Sequence, residues 1–243
     1  MRELNPHISV DCVIFGFDFN YIKVLLVKRT RFDGEKHSNQ DLKLPGSLVY
    51  NDEDIDEAAH RVLLELTGLK NIYLEQIFTF GSTKRTGNKT DVDWLTNTTH
   101  LHIDRIVTIA YFSLIKLQET LPQSSAGNHL KWMNIYDVQE LAFDHVEIVH
   151  KGIEVLKNKL MTSPVAFELL PKKFTIRQLQ TLFEAVFNKK LDNRNFRKKI
   201  STQPFIVPLN EKQVRVAHKP ARLYKFDKKL YKRSVKESVL YSF

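Results

Sequence analysis

The chain has 243 residues, 42% of them hydrophobic, with 8 Gly and 8 Pro; this suffices for one large and one small globular domain and excludes a collagen-like or low-complexity chain. Its single cysteine, Cys12, excludes an intramolecular disulfide and points to a reducing compartment, while the absence of a bilayer-length apolar run and of a signal-like start in MRELNPHISV gives the expectation of a cytoplasmic protein with no membrane role. The net charge of +9 is uneven: residues 1–167 hold 18 Lys or Arg against 22 Asp or Glu, and residues 168–243 hold 19 against 6, so the second part suits a polyanion, nucleic acid ahead of an anionic membrane surface.

In chain order, residues 9–16 and 21–28 are β-rich runs around an FDFN turn, a predicted hairpin. Residues 54–66 read as a helix, opened by Asp54 with Glu57 three residues later and stopped by Gly68. Strands are expected at 72–81 and 105–115. The polar stretch 82–104 between them lacks periodicity and reads as a long loop. A helix over 143–160 presents Val146, Val149, Ile153, Leu156 and Leu160 on one face. Composition shifts after Met161-Thr-Ser-Pro164, which places a first domain at 1–160 and a second at 165–243. In the second, Thr175 opens an amphipathic helix, NKKL turns the chain, and Asp192 caps a short basic helix, NRNFRKKI; β-like runs at 205–210 and 221–227 follow. Helix, tight turn, basic helix and hairpin form a winged helix-turn-helix pattern.

In that short helix, apolar Phe196 and Ile200 face inward, so the helical step points Arg194, Lys198 and Ser201 outward with Asn195 and Arg197 on the flanks. Arg and Asn suit bidentate contact with guanine and adenine edges. Asn193, together with Thr175 and Arg177 at the start of the preceding helix, completes the helical part of a DNA-facing set. Lys212, Arg215, His218, Lys219 and Arg222 fall on or near the wing, where phosphate contact is expected.

Residues 45–69, PGSLVYNDEDIDEAAHRVLLELTGL, resemble the Nudix box, G-x5-E-x7-R-E-U-x-E-E-x-G-U. Glu53, Arg61, Leu63, Glu65, Gly68 and Leu69 match; Ser47 replaces the leading glycine, and Val62 and Leu66 replace two of the glutamates. Nudix hydrolases hold Mg²⁺ on carboxylates of one helical face, which hard Mg²⁺ requires, and neither Val62 nor Leu66 has an oxygen to offer. The acidic run Asp52, Glu53, Asp54, Asp56 and Glu57 reads as favourable charge at a helix N-terminus. His100 and His102 lack partnering ligands. No metal, no cofactor and no catalytic residue are expected.

Taken with FELLPKKFTIRQLQTLFEAVFNKKLDNRNFRKKI from Phe167, KPARLYKFD from Lys219 and LAFDHVEIV at Leu141, the chain resembles, over nearly its whole length, the Nudix-related transcriptional regulators. The resemblance implies an α/β fold, an N-terminal Nudix-type α/β/α sandwich with mixed sheet, followed by a winged helix-turn-helix domain. It implies a repressor that binds a palindromic double-stranded operator as a homodimer and releases it when a small effector fills the Nudix-derived pocket. Likeness to the L-arabinose-responsive branch implies a sugar effector, with Trp94 in the long loop placed over a sugar face and Lys43, Glu53, Glu65 and Tyr111 as further pocket residues. Two alternatives stay open, an active Nudix hydrolase of ADP-ribose or nucleotide-sugar type and an ADP-ribose-responsive regulator of NAD metabolism.

Overall fold

The structure is a computed structural model that describes residues 2–29, 42–117, 130–214, 216 and 219–240. Its contacts divide the chain into two compact units, Met1–Gly16 with Ile22–Val155, and Phe17–Tyr21 with Leu156–Phe243.

The first unit is built on a seven-stranded mixed sheet. Strands β1 (Leu4–Phe17), β2 (Ile22–Lys28), β3 (Leu42–Lys43), β5 (Glu75–Phe80) and β6 (Val107–Lys116) run in the order β3-β2-β1-β6-β5. Strand β4 (Gly46–Tyr50) pairs antiparallel with β1, and β7 (Leu130–Asn134) with β2. Side chains alternate across β1. Val10, Cys12 and Ile14 enter an apolar cluster with Ala58, Ala59, Val62 and Leu63 of helix α1 (Ile55–Thr67). On α1, Asp54 donates its N–H to Glu57 at 3.3 Å, and Gly68 ends the helix at φ 74°, where the lack of a Cβ removes the strain of the left-handed region. Val13 and Phe15 abut Gly152 of helix α3 (His145–Thr162), where an added Cβ would come within 2.9 Å of Val13.

The polar stretch 82–104 is not a loop. A 3-10 turn (Thr83–Thr86) and helix α2 (Lys89–Thr99) occupy most of it. Asn88 caps α2 by accepting the Thr90 N–H at 3.0 Å, and His100 ends it at φ 57°. The helix is rich in Thr, Asp and Asn, poor formers that conceal it from periodicity. Tertiary contacts hold it: Asp91, 2% exposed, accepts from Arg29 at 2.6 Å and from the Phe143 N–H at 2.8 Å.

In the second unit, α4 (Ala166–Leu169), α5 (Ile176–Phe187) and α6 (Asn193–Ser201) precede a hairpin of β8 (Ile206–Lys212) and β9 (Arg222–Phe226) and a final helix, α7 (Lys228–Leu240), which the periodicity reading did not include. Aromatic rings form its centre, with Phe167 stacked on Phe226 at 4.3 Å and edge-on to Phe205. Phe174 extends the hairpin through two backbone hydrogen bonds with Tyr224. Tyr231 anchors α7 edge-on to Phe205 at 5.2 Å. Among the described residues no helix is long and apolar enough to cross a membrane.

Candidate ligand cleft and nucleic-acid interface

The first unit has a cleft between β1, the start of β4, the segment 82–104 and the residues at the start of α3. Ser9, Asp11, Lys43, Arg85, Trp94, Phe143 and His145 line it. Its floor is a buried polar network centred on Asp11. One carboxylate oxygen accepts from Arg85 at 2.8 Å and from the Thr108 hydroxyl at 2.7 Å; the other faces His145 Nε2 at 3.3 Å. Arg85 also binds Asp144. His145 Nδ1 accepts the Leu44 N–H at 2.9 Å, which fixes the ring as the neutral tautomer protonated on Nε2. Burial drives the His145 pKa down to about 3. It also works against charge on Asp11, but the surrounding His145, Arg85, Thr108 and Lys43 outweigh it and hold the carboxyl below its ordinary range. With His145 neutral, its Nε2–H faces the Asp11 carboxylate as an uncharged polar neighbour.

Lys43 enters from β3. Its ammonium donates to the carbonyls of Gly46 at 2.6 Å and Leu44 at 3.3 Å, and burial lowers its pKa to about 8. Trp94 packs edge-on against Phe143, and both Arg29 and Lys43 approach its ring, at 5.5 and 5.9 Å. Among the described residues the buried Ser9 hydroxyl has no hydrogen-bond partner. The cleft thus offers an aromatic face, a partly desolvated ammonium and an unsatisfied hydroxyl, a donor-rich set suited to a polar ligand with an anionic or π-bearing part.

Of the five effector residues expected from sequence, only Lys43 and Trp94 meet here. Glu53 and Glu65 are engaged elsewhere, because Arg61 binds Glu53 at 2.6 Å and Glu65 at 3.1 Å, while Glu53 also accepts the Tyr50 N–H. These bonds to Arg61 and Tyr50 hold Glu53 ionised despite burial. Tyr111 is 2% exposed, in the apolar cluster beneath α1, and donates its hydroxyl to Asp56. Sequence reasoning missed Asp11, Arg85 and His145. A lone acid in the apolar run SVDCVIFG was the one signal available for Asp11.

The Mg²⁺-binding positions of a Nudix helix do not fit a metal here. Val62 is fully buried in the apolar cluster, Leu66 packs against that cluster, and Glu65 is paired with Arg61. Among the described residues no group of three His, Cys, Asp or Glu is arranged to hold a metal. His102 instead pairs with Asp104 on the surface.

In the second unit a groove lies between the start of α5, one side of α6 and the hairpin. It brings together Arg177, Arg197, Lys198, Ser201, Lys219 and Arg222, six of the thirteen residues expected to face DNA, and among the described residues its lining has no carboxylate. Thr175 also lines it, 3% exposed and engaged in a capping box in which it accepts the Gln178 N–H at 3.1 Å. Asn193 accepts from Arg177 at 3.3 Å. Arg194 and Asn195 are exposed on α6 away from the groove, and Lys212 is exposed on β8 opposite Arg222. Arg215 and His218 lie outside the described residues. Phe196 and Ile200 do face inward but only half-buried; Phe196 packs edge-on against Phe183 of α5.

Residues 5–152 match the family model of the NUDIX domain, and residues 166–226 that of the NrtR DNA-binding winged helix domain. The chain is 27% identical over 226 residues to the ADPR responsive transcriptional repressor NtrR of Acinetobacter baylyi, an alignment covering 91% of this chain and 82% of that protein. It is similar to the crystal structure of Shewanella oneidensis NrtR complexed with a 27mer DNA, with a TM-score of 0.64 and 25% identity over 93% of this chain and 95% of that one. A MutT/nudix family protein from Enterococcus faecalis shares the fold, with a TM-score of 0.62 at 20% identity over 92% and 87% of the two chains.

Proposed function

We propose, from the premise that this chain belongs to the Nudix family and carries an NrtR-type DNA-binding winged helix, that it is a transcriptional repressor whose cleft binds ADP-ribose and thereby releases operator DNA. The observation that carries this reading is the pairing of the two domains in a chain that aligns over 91% of its length with a relative named for its response to ADPR. The cleft agrees chemically: an aromatic ring for a base and an ammonium for a diphosphate are both present, at Trp94 and Lys43. L-arabinose, the effector expected from the sequence, has neither a π-face nor an anionic group. Arg29 and Lys43 approach the Trp94 ring that was expected to lie over a sugar face, and the relative aligned over most of the chain is named for ADPR. Repression without hydrolysis is part of the proposal, because two of the three positions that would carry the metal are Val62, within the apolar cluster, and Leu66, packed against it, while the third, Glu65, is paired with Arg61.

Binding to DNA follows the groove beside α6. A homodimer on a palindromic duplex fits a surface that, in one copy, presents a single such helix. The test uses the full chain and duplexes enriched from a random 27-base-pair pool. The expected result is that two chains bind one enriched duplex and that ADP-ribose, but not L-arabinose, weakens the complex by tenfold or more, an ordinary coupling on the order of 1–3 kcal/mol. Release by L-arabinose alone would overturn the effector assignment; failure to enrich any duplex would overturn the DNA reading.

A further inference from the structure

Helix α6 contains no fully buried residue, so core packing alone leaves its pose weakly determined. What precedes it is more constrained. Gln180 and Glu184 stand one turn apart on the buried face of α5, exposed by only 1% and 7%. The Gln180 amide donates to the Leu191 carbonyl at 2.9 Å and to Glu184 Oε1 at 3.0 Å; the same Glu184 oxygen accepts the Leu191 N–H at 3.0 Å. Both backbone groups of Leu191, the residue before the Asp192 cap of α6, are therefore held by one side-chain pair. Burial opposes the Glu184 charge, but the Leu191 and Gln180 donors keep its pKa below the usual carboxylate value. The second Glu184 oxygen has no hydrogen bond; Lys190 lies 3.6 Å and Arg177 3.8 Å from it.

We propose that the Gln180–Glu184 pair is a positioning device for DNA recognition: by clamping Leu191 it fixes where α6 begins, and so the side chains that α6 presents to bases. A helix held in this way differs from one held by an apolar seam. Loss of the clamp lets α6 tilt while Phe196 keeps its contact with Phe183, so the basic surface survives and its register does not. Phosphate contacts tolerate such a tilt, whereas bidentate base contacts do not. This rests on the DNA-binding reading above.

The experiment compares Glu184→Ala, Glu184→Gln and Gln180→Ala with the wild-type full chain on an enriched 27-base-pair duplex and on a scrambled one, with thermal unfolding measured in parallel. Glu184→Gln retains an acceptor at the clamping oxygen and is expected to keep the wild-type preference for the enriched duplex. Glu184→Ala is expected to reduce that preference by about tenfold, the order of one lost base contact, while scrambled-DNA affinity stays equal or rises as a negative charge leaves the basic unit. Gln180→Ala should move in the same direction by less, and serves as the test should Glu184→Ala unfold. Equal loss on both duplexes, or an undiminished preference in both alanine variants, would overturn the proposal. No sequence preference in the wild type would instead remove the DNA reading beneath it.

Discussion

The cleft of the first unit and the groove of the second both gather charged side chains, but by opposite physical means. In and around the cleft, cations and anions are buried and matched: Arg29 with Asp91 behind the lining, and Arg85 with Asp11 and Asp144. Such groups contribute by fixing geometry, since their desolvation offsets much of their attraction. The groove leaves its cations exposed; among the described residues its lining has no carboxylate, and only Arg177 has an acid near it, Glu184 at 3.8 Å, so the surface suits an external polyanion. Substitutions in the first unit should therefore register in stability and pH dependence, and those in the second in DNA affinity.

The largest effect is expected at helix α1, which carries the Nudix-box positions. Val62→Glu places a carboxylate in a fully apolar cluster and should destabilise the protein by about 3–5 kcal/mol. Neither it nor the double variant with Leu66→Glu should release nucleotide monophosphate from ADP-ribose with Mg²⁺ above wild-type background. Turnover near 1 s⁻¹ in any of the three, within the ordinary enzyme range, would show that the helix retains a metal site.

A smaller effect concerns pH. His145 is held neutral, its pKa driven from 6.5 to about 3 by burial, so between these values the unfolded chain takes up a proton that the folded one refuses. The folded-state pKa is depressed, and stability from this group is present above pH 6.5 and declines as pH falls toward 3. Denaturant midpoints measured over that range should drop less steeply in His145→Gln than in the wild type; parallel slopes would mean that the ring is protonated in the fold.

The smallest effects belong to single exposed cations. Arg194→Ala should weaken binding to an enriched duplex by about 1–3 kcal/mol and to scrambled DNA much less, if this outward residue of α6 reads bases. The groove raises a sharper alternative, since Lys198 and Ser201 of the same stripe line it and Arg194 does not. Lys219→Ala should weaken both duplexes alike and reduce the salt dependence by roughly one counterion. Interchanged behaviour of the two variants would move base readout from the helix to the wing.

These differences also explain what was legible in the sequence. The second unit declares itself through local rules: Thr175 and Asp192 as caps, apolar spacing along α5, and a run of basic residues on α6. So does α1, with Glu57 and Gly68 at its ends. Helix α2 does not, because its stability resides in Arg29 and the Phe143 N–H, both remote in sequence from Asp91. The cleft is illegible for the same reason. Asp11, Arg85 and His145 come from β1, from the turn after β5 and from the start of α3, and only folding makes them neighbours. Glu53, Glu65 and Tyr111 were expected as pocket residues of a Nudix-type fold; Arg61 holds the two glutamates and Tyr111 lies in the apolar cluster beneath α1, partnerships that the local sequence does not display.

The coupling between the two regions is tested most directly by measuring ADP-ribose binding to the full chain by titration calorimetry, alone and saturated with an enriched 27-base-pair duplex. Linkage requires that DNA weaken ADP-ribose binding by the same factor by which ADP-ribose weakens DNA binding. The account predicts that equal factor, tenfold or more in both directions, and its loss when Lys43→Ala abolishes ADP-ribose binding. ADP-ribose affinity unchanged by saturating DNA would contradict it, leaving two binding sites on one chain with no regulatory connection.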